Sequence, residues 1–120
     1  LQNQTTISLA DFSGKPVAAV SGIARPERFI DDLNKAQMHI VLRRDFADHH
    51  RYSAEEFSAI FADAQTADAE AIIITEEDAA NLPMETIRNA SLPIFAAQIE
   101  FDCEDKAALR NLLLTVTQKT

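Results

Sequence analysis

Basic residues are scarce in this sequence. Eleven Lys and Arg stand against 19 Asp and Glu, a formal net charge of −8 with histidine neutral. No basic run interrupts the acidity, which excludes nucleic acid as a partner for the surface as a whole, because neutralising phosphates takes clustered Lys and Arg. A phosphate can still be held locally by a few side chains or a helix N-terminus. Cysteine is nearly absent: Cys103 stands alone, so no internal disulfide can form and a reducing compartment fits best. With no histidine close to it in sequence, Cys103 is expected to be a packed or partly exposed thiol rather than a nucleophile. Glycine occurs only twice, too rarely for the repeated glycines of a dinucleotide loop. Long apolar runs are missing as well. None approaches the roughly 20 residues that span a bilayer, and no signal peptide is visible, so a soluble chain is expected. The stretch Ser13-Gly14-Lys15-Pro16 imitates the end of a P-loop, but GxxxxGK[ST] is absent and Pro16 stands where Ser or Thr is required.

What is present is ordinary for a globular domain. The chain is 120 residues long, 47% apolar and 25% charged, enough to bury one core unaided. Residues 1–14 are polar and weakly patterned and are expected to be a linker or a cut end; residues 15–120 are expected to form a single domain.

From Pro16 the chain alternates between two patterns. "PVAAVSGI" is a short apolar run closed by Ser21-Gly22, suited to a strand buried on both faces. "ARPERFIDDLNKAQ" follows at helical spacing, with Pro26 preset for a first turn. "MHIVLRR" is a second strand containing His39, which is expected to be structural. "SAEEFSAIFADA" opens on Ser53 and Glu56, a capping-box spacing. "AEAIIITEED" holds the strongest strand signal, "NLPMETIRNA" a short helix or turn, and "LPIFAAQIEF" a fourth strand. "CEDKAALRNLLLTVTQ" has the spacing of a closing helix, with Leu109, Leu112, Leu113 and Val116 inward. Four strand–helix repeats predict an α/β fold: a Rossmann-like three-layer sandwich with a mostly parallel four-stranded sheet and helices on both faces.

That topology gathers the segments leaving the carboxyl ends of the strands onto one rim, where open α/β sheets bind ligands. Ser21, Gly22, Arg25, Asp48, His49, His50, Thr75, Glu76, Glu77 and Asp78 all fall there. Asp48-His49-His50 admits three readings. The histidines cap backbone groups in an ordinary loop, or one of them is an acid/base group oriented by a carboxylate, or the trio binds a metal. Adjacent side chains diverge, which weighs against the metal. Thr75-Glu76-Glu77-Asp78 fits a helix start, with Thr75 as N-cap and acids in the first turn. A cation or polar-ligand site is the alternative, since three carboxylates on one turn repel. The single glycine and arginine of Ser21–Pro26 give only a weak anion-cradle signal.

Taken in order and spacing, "VSGIARPERF", "FADHHRYS" and "ITEEDAANLP" resemble the C-terminal part of the tetraacyldisaccharide 4'-kinase family. That family carries an AGI-x-x-P-x-RF segment, an F-x-DHH-x-[FY] segment and a TEKDAVKL-like segment, and the resemblance runs over residues 15–115. It implies the substrate-side domain of a bacterial kinase of lipid A (lipopolysaccharide) biosynthesis, acting on an acylated disaccharide lipid. It also implies a separate upstream P-loop domain binding ATP and Mg²⁺, and a place on the cytoplasmic side of the inner membrane for the full enzyme. No cofactor or metal site is expected in this chain itself. Carried over by residue, the DHH motif makes His49 the group that assists proton removal from the sugar hydroxyl, with Asp48 orienting it. Ser21, Gly22, Arg25, His50, Thr75, Glu76 and Asp78 would then contribute to the substrate side. Two positions depart from the pattern: Glu77 stands where the family usually has lysine, and Ala47 where it usually has proline. The competing expectations are a non-catalytic Rossmann-like domain that binds a ligand or partner, and a metal-dependent hydrolase built on the histidine-and-acid rim.

Overall fold

A computed structural model of the chain describes residues 6–8, 12–101 and 107–115. The elements run β1 (Thr6–Ser8), β2 (Pro16–Ser21), α1 (Pro26–Lys35), β3 (His39–Asp45), α2 (Ala54–Thr66), β4 (Ala71–Thr75), α3 (Glu76–Ala79), α4 (Met84–Arg88), β5 (Ile94–Phe101) and β6 (Ala107–Thr115). They build one six-stranded sheet in the order β1-β6-β5-β4-β2-β3. β2 pairs in parallel with both β3 and β4, and β4 in parallel with β5, so the four expected core strands form one parallel sheet.

Alternation along the buried strands makes the three layers. Ala18, Val20, Ile72, Ile74, Ile94 and Ala96 face α2, meeting Phe57, Ile60, Phe61 and Ala64. Val17, Ala19, Ala71, Ile73, Phe95 and Ala97 face the other way and meet Phe29, Ile30 and Leu33 of α1. Successive strand residues point to opposite faces, so an unbroken apolar run is what a sheet covered on both sides requires. α2 begins with the expected capping box: Glu56 N donates to Ser53 Oγ (3.0 Å) and Ser53 N to Glu56 Oε1 (3.4 Å). Among the described residues no helix is long and apolar enough to cross a membrane.

Two expectations change at the sheet's far edge. The stretch expected to close the chain as a helix forms strand β6 over Ala107–Thr115, antiparallel to β5. The segment expected to be an unpatterned lead contributes β1, whose Thr6, Ile7 and Ser8 pair with Leu114, Leu113 and Leu112. The physical reason is the open edge of β5. An apolar strand paired on one side only presents a row of unpaired backbone groups, and satisfying them outweighs a few tenths of a kcal/mol per residue of helix propensity. Cys103 lies outside the described residues.

Candidate functional site

The strand order reverses at β2: the chain leaves β2 for β3 on one side, then crosses to β4 on the other. At such a switch point the loops above two adjacent strands part and leave a crevice at their carboxyl ends. Here those ends are Ser21-Gly22 and Thr75-Glu76. A cleft of about 410 Å³ opens there, lined by Ile23, Ala24, Arg25, Thr75, Glu76, Glu77 and Ala97.

The loop carrying the two histidines is stitched to the end of β2. Phe46 N donates to Ser21 O (2.7 Å) and His49 N to Gly22 O (3.0 Å). Gly22 is there because nothing larger fits: a Cβ would meet Ala47 O at 2.9 Å and His50 Cβ at 3.0 Å. His49 itself adopts a left-handed backbone, φ 63°, a conformation uncommon for residues other than glycine. The bend directs His49 outward, its side chain 76% exposed. Nδ1 lies 3.0 Å from Glu77 Oε2, and Nε2 lies 3.6 Å from Asp48 Oδ2. The expected orienting neighbour, Asp48, is therefore beyond hydrogen-bond distance of the ring. The nearer carboxylate belongs to Glu77, from the first turn of α3.

His50 turns the opposite way. Its ring stacks on Phe46 at 4.7 Å, meets Tyr52 edge-on at 4.8 Å, and Nε2 stands 2.7 Å from Glu56 Oε1. Glu56 thus joins the loop to the start of α2, whose capping box it completes. This half-buried pairing makes His50 an anchor of the loop, so it does not share the exposed environment of His49.

Beneath both histidines lies Asp78, 1% exposed. Its Oδ1 accepts from Gly22 N and from the Tyr52 hydroxyl, both at 2.9 Å. Its Oδ2 accepts from Thr75 Oγ1 at 2.6 Å and Thr75 N at 3.4 Å, and Asp78 N donates back to Thr75 Oγ1 at 3.1 Å. Thr75 is the N-cap of α3, as its sequence context predicts. One carboxylate therefore ties together the end of β2, the histidine loop and the start of α3. Ser21, Thr75 and Asp78, all expected on the substrate side, are buried, and Ser21 Oγ has no partner among the described residues. Arg25 and Glu76 remain at the cleft itself. Tyr52 and Glu56 were not expected at the site; their only sequence signals are the aromatic position of the DHH segment and the capping-box spacing.

Tyr52 is the chain's single tyrosine. Burial, followed by the negative charge and the hydrogen bond of Asp78 and the more distant charge of Glu56, holds its hydroxyl well above the usual range near pH 10. The folded state keeps a proton that the unfolded chain gives up. The resulting stability is complete below the unfolded pKa and lost as pH rises toward the folded value. In an alkaline titration, tyrosinate absorbance should rise only together with loss of the circular dichroism of the fold. Ionisation in a still-folded domain would contradict the buried pair.

Ligand atoms of Asp48, His49 and Glu77 lie within 4.8 Å of one another. All three residues are exposed, and exposed groups of this kind are common without an ion. The amides around the P-loop imitation are already engaged: Gly14 N donates to Gln37 O (2.7 Å) and Lys15 N to Phe12 O (3.0 Å). That turn does not fit a nucleotide phosphate.

Comparison with known proteins agrees with the motifs. The family model described as Tetraacyldisaccharide-1-P 4'-kinase matches residues 1–118. The chain belongs to the tetraacyldisaccharide 4'-kinase family. A tetraacyldisaccharide 4'-kinase of Bradyrhizobium diazoefficiens is 41% identical over 107 residues, which is 88% of this chain and 30% of that protein. One from Methylorubrum populi is 34% identical over 104 residues, 87% of this chain and 30% of that protein. One from Anaeromyxobacter sp. strain K is 40% identical over 75 residues, 62% of this chain and 20% of that protein. The chain thus spans less than a third of the length of these kinases. No solved structure matches it.

Proposed function

We propose that this chain is the acceptor-side domain of a lipid A disaccharide 4'-kinase and that His49 is its general base. The carrying observation is the placement of His49: an exposed imidazole beside the switch-point cleft, Nδ1 facing a carboxylate and Nε2 with Asp48, at 3.6 Å, as its acid neighbour among the described residues. Family membership supplies the reaction class, phosphoryl transfer from ATP to a sugar hydroxyl of an acylated disaccharide. In that step the hydroxyl proton passes to His49 Nε2 as the sugar oxygen bonds to the γ-phosphorus and ADP departs with the electron pair of the broken P–O bond. Such transfers depend mainly on positioning and charge stabilisation. In this reading residues 15–120 form the body of the domain with β1 added at its edge, and ATP with its Mg²⁺ is held by a separate P-loop domain, consistent with the engaged amides at Gly14 and Lys15. Arg25 and Glu76 border the space for the sugar, and Asp48 adds negative charge near the ring once it is protonated. The full enzyme works at the cytoplasmic face of the inner membrane, where its lipid substrate is embedded.

The test compares two chains. The 120-residue chain alone should give no heat with Mg²⁺-ATP in calorimetry. A chain joining it to the P-loop domain should transfer labelled γ-phosphate to the acylated disaccharide, and removing residues 15–120 should abolish the transfer. Tight ATP binding by the short chain, or transfer that survives the deletion, would overturn the assignment.

A further inference from the structure

The two ring nitrogens of His49 sit in unlike surroundings. Nδ1 has a carboxylate oxygen of Glu77 at 3.0 Å, whereas the nearest acid to Nε2, Asp48, stands at 3.6 Å. In a neutral imidazole one nitrogen carries the proton and the other the lone pair, and the partner on one side decides which. A carboxylate only accepts, so it draws the proton to Nδ1 and leaves the lone pair on Nε2.

Backbone geometry makes the contact more than a chance encounter of surface groups. His49 is held at φ 63° with its amide bonded to Gly22 O. Glu77 sits in the first turn of α3, directly before Asp78, whose buried carboxylate fixes that turn to Gly22 and Tyr52. Both partners are therefore mounted on the same buried clamp, so little conformational freedom is lost when they meet.

We propose that Glu77 is a positioning residue for His49, fixing the tautomer with Nδ1 protonated and the lone pair on Nε2. This rests on His49 acting on the acceptor proton, and the experiment separates the two claims. The chain has three histidines, so the ring nitrogens can be assigned by ¹⁵N-labelled histidine NMR, with His49→Gln identifying the signals of His49. In the 120-residue chain at a pH where His49 is neutral, its spectrum should show a single tautomer, Nδ1 protonated. Glu77→Gln, able to present either an amide N–H or a carbonyl, should give a mixture; Glu77→Asp should retain part of the bias.

In the chain joined to the P-loop domain, Glu77→Gln should lower kcat roughly 10–100-fold, the range for losing an orienting partner, with KM for ATP unchanged. Glu77→Asp should recover part of the loss. An unchanged tautomer in Glu77→Gln overturns the positioning role, as does a changed tautomer with unchanged kcat where His49→Gln itself loses turnover. If the tautomer shifts but His49→Gln retains full turnover, Glu77 still orients the ring and the assignment of His49 as base is what fails.

Discussion

Replacing His49 by alanine should lower turnover of the kinase that carries this domain by roughly 10²–10⁴-fold, the usual worth of general acid–base assistance. The fold should survive, because the side chain is 76% exposed. Exposed substitutions of this kind usually change stability by less than about 0.5 kcal/mol. The left-handed backbone at this position calls for a second variant, His49→Asn, since asparagine tolerates positive φ well and lacks the imidazole. Both should lose turnover alike and melt close to the unmodified protein. His50→Ala should behave in the opposite sense, losing stability through its contacts with Phe46, Tyr52 and Glu56 while the folded fraction keeps its activity. Turnover and melting measured together decide the matter. Full activity in His49→Asn would mean that the residue only shapes the loop.

The second large effect is on stability. Asp78→Ala should cost about 3–5 kcal/mol, because it leaves Gly22 N, the Tyr52 and Thr75 hydroxyls and Thr75 N as buried donors without their acceptor, each worth roughly 1–3 kcal/mol when orphaned. The contributions do not add fully, since the small cavity left behind lets the groups relax or admit water. Asp78→Asn should fall between, because its carbonyl can still accept from Gly22 and Tyr52 while its amide confronts Thr75 N. Urea unfolding should show a lower midpoint with an unchanged slope. A midpoint near that of the unmodified protein in Asp78→Ala would show that the carboxylate is not the tie between the three segments.

The parallel core was legible because strands buried on both faces have to be continuous apolar runs, and "PVAAV" and "AIIIT" are unmistakable in that respect. The capping box at Ser53 and the N-cap at Thr75 were legible because they are local. β6 was not, because its state is decided by the open edge of β5 and its own leucines suit a helix equally well. The same contrast runs through the site. The rim and His49 follow from motif and topology. Asp78 looked like one more first-turn acid. Its burial depends on Gly22, 56 residues earlier, and Tyr52, 26 residues earlier, which no local pattern reports. Adjacency pairs Asp48 with His49, yet neighbouring side chains diverge, and the closer carboxylate reaches the ring from the first turn of α3, 28 residues away in sequence.

Every pairing among the four core strands is parallel and needs a crossover, and the nearest in sequence joins Ile72 to Ile94. Antiparallel turns, which let a growing chain bank structure early, occur only at the outer edge. During synthesis β2 must therefore wait for β4, whose Ala71–Ile73 pair with Val17–Ala19. Long waits of this kind slow folding, since loop closure precedes any reward. Until it docks beside β2, Ile72-Ile73-Ile74 is an uncharged, strongly β-prone run without a partner, the composition from which chains aggregate. Glu70 before it and Glu76-Glu77-Asp78 after it are the charges that keep nascent copies apart, so the acids of this rim protect the chain before it has a site at all.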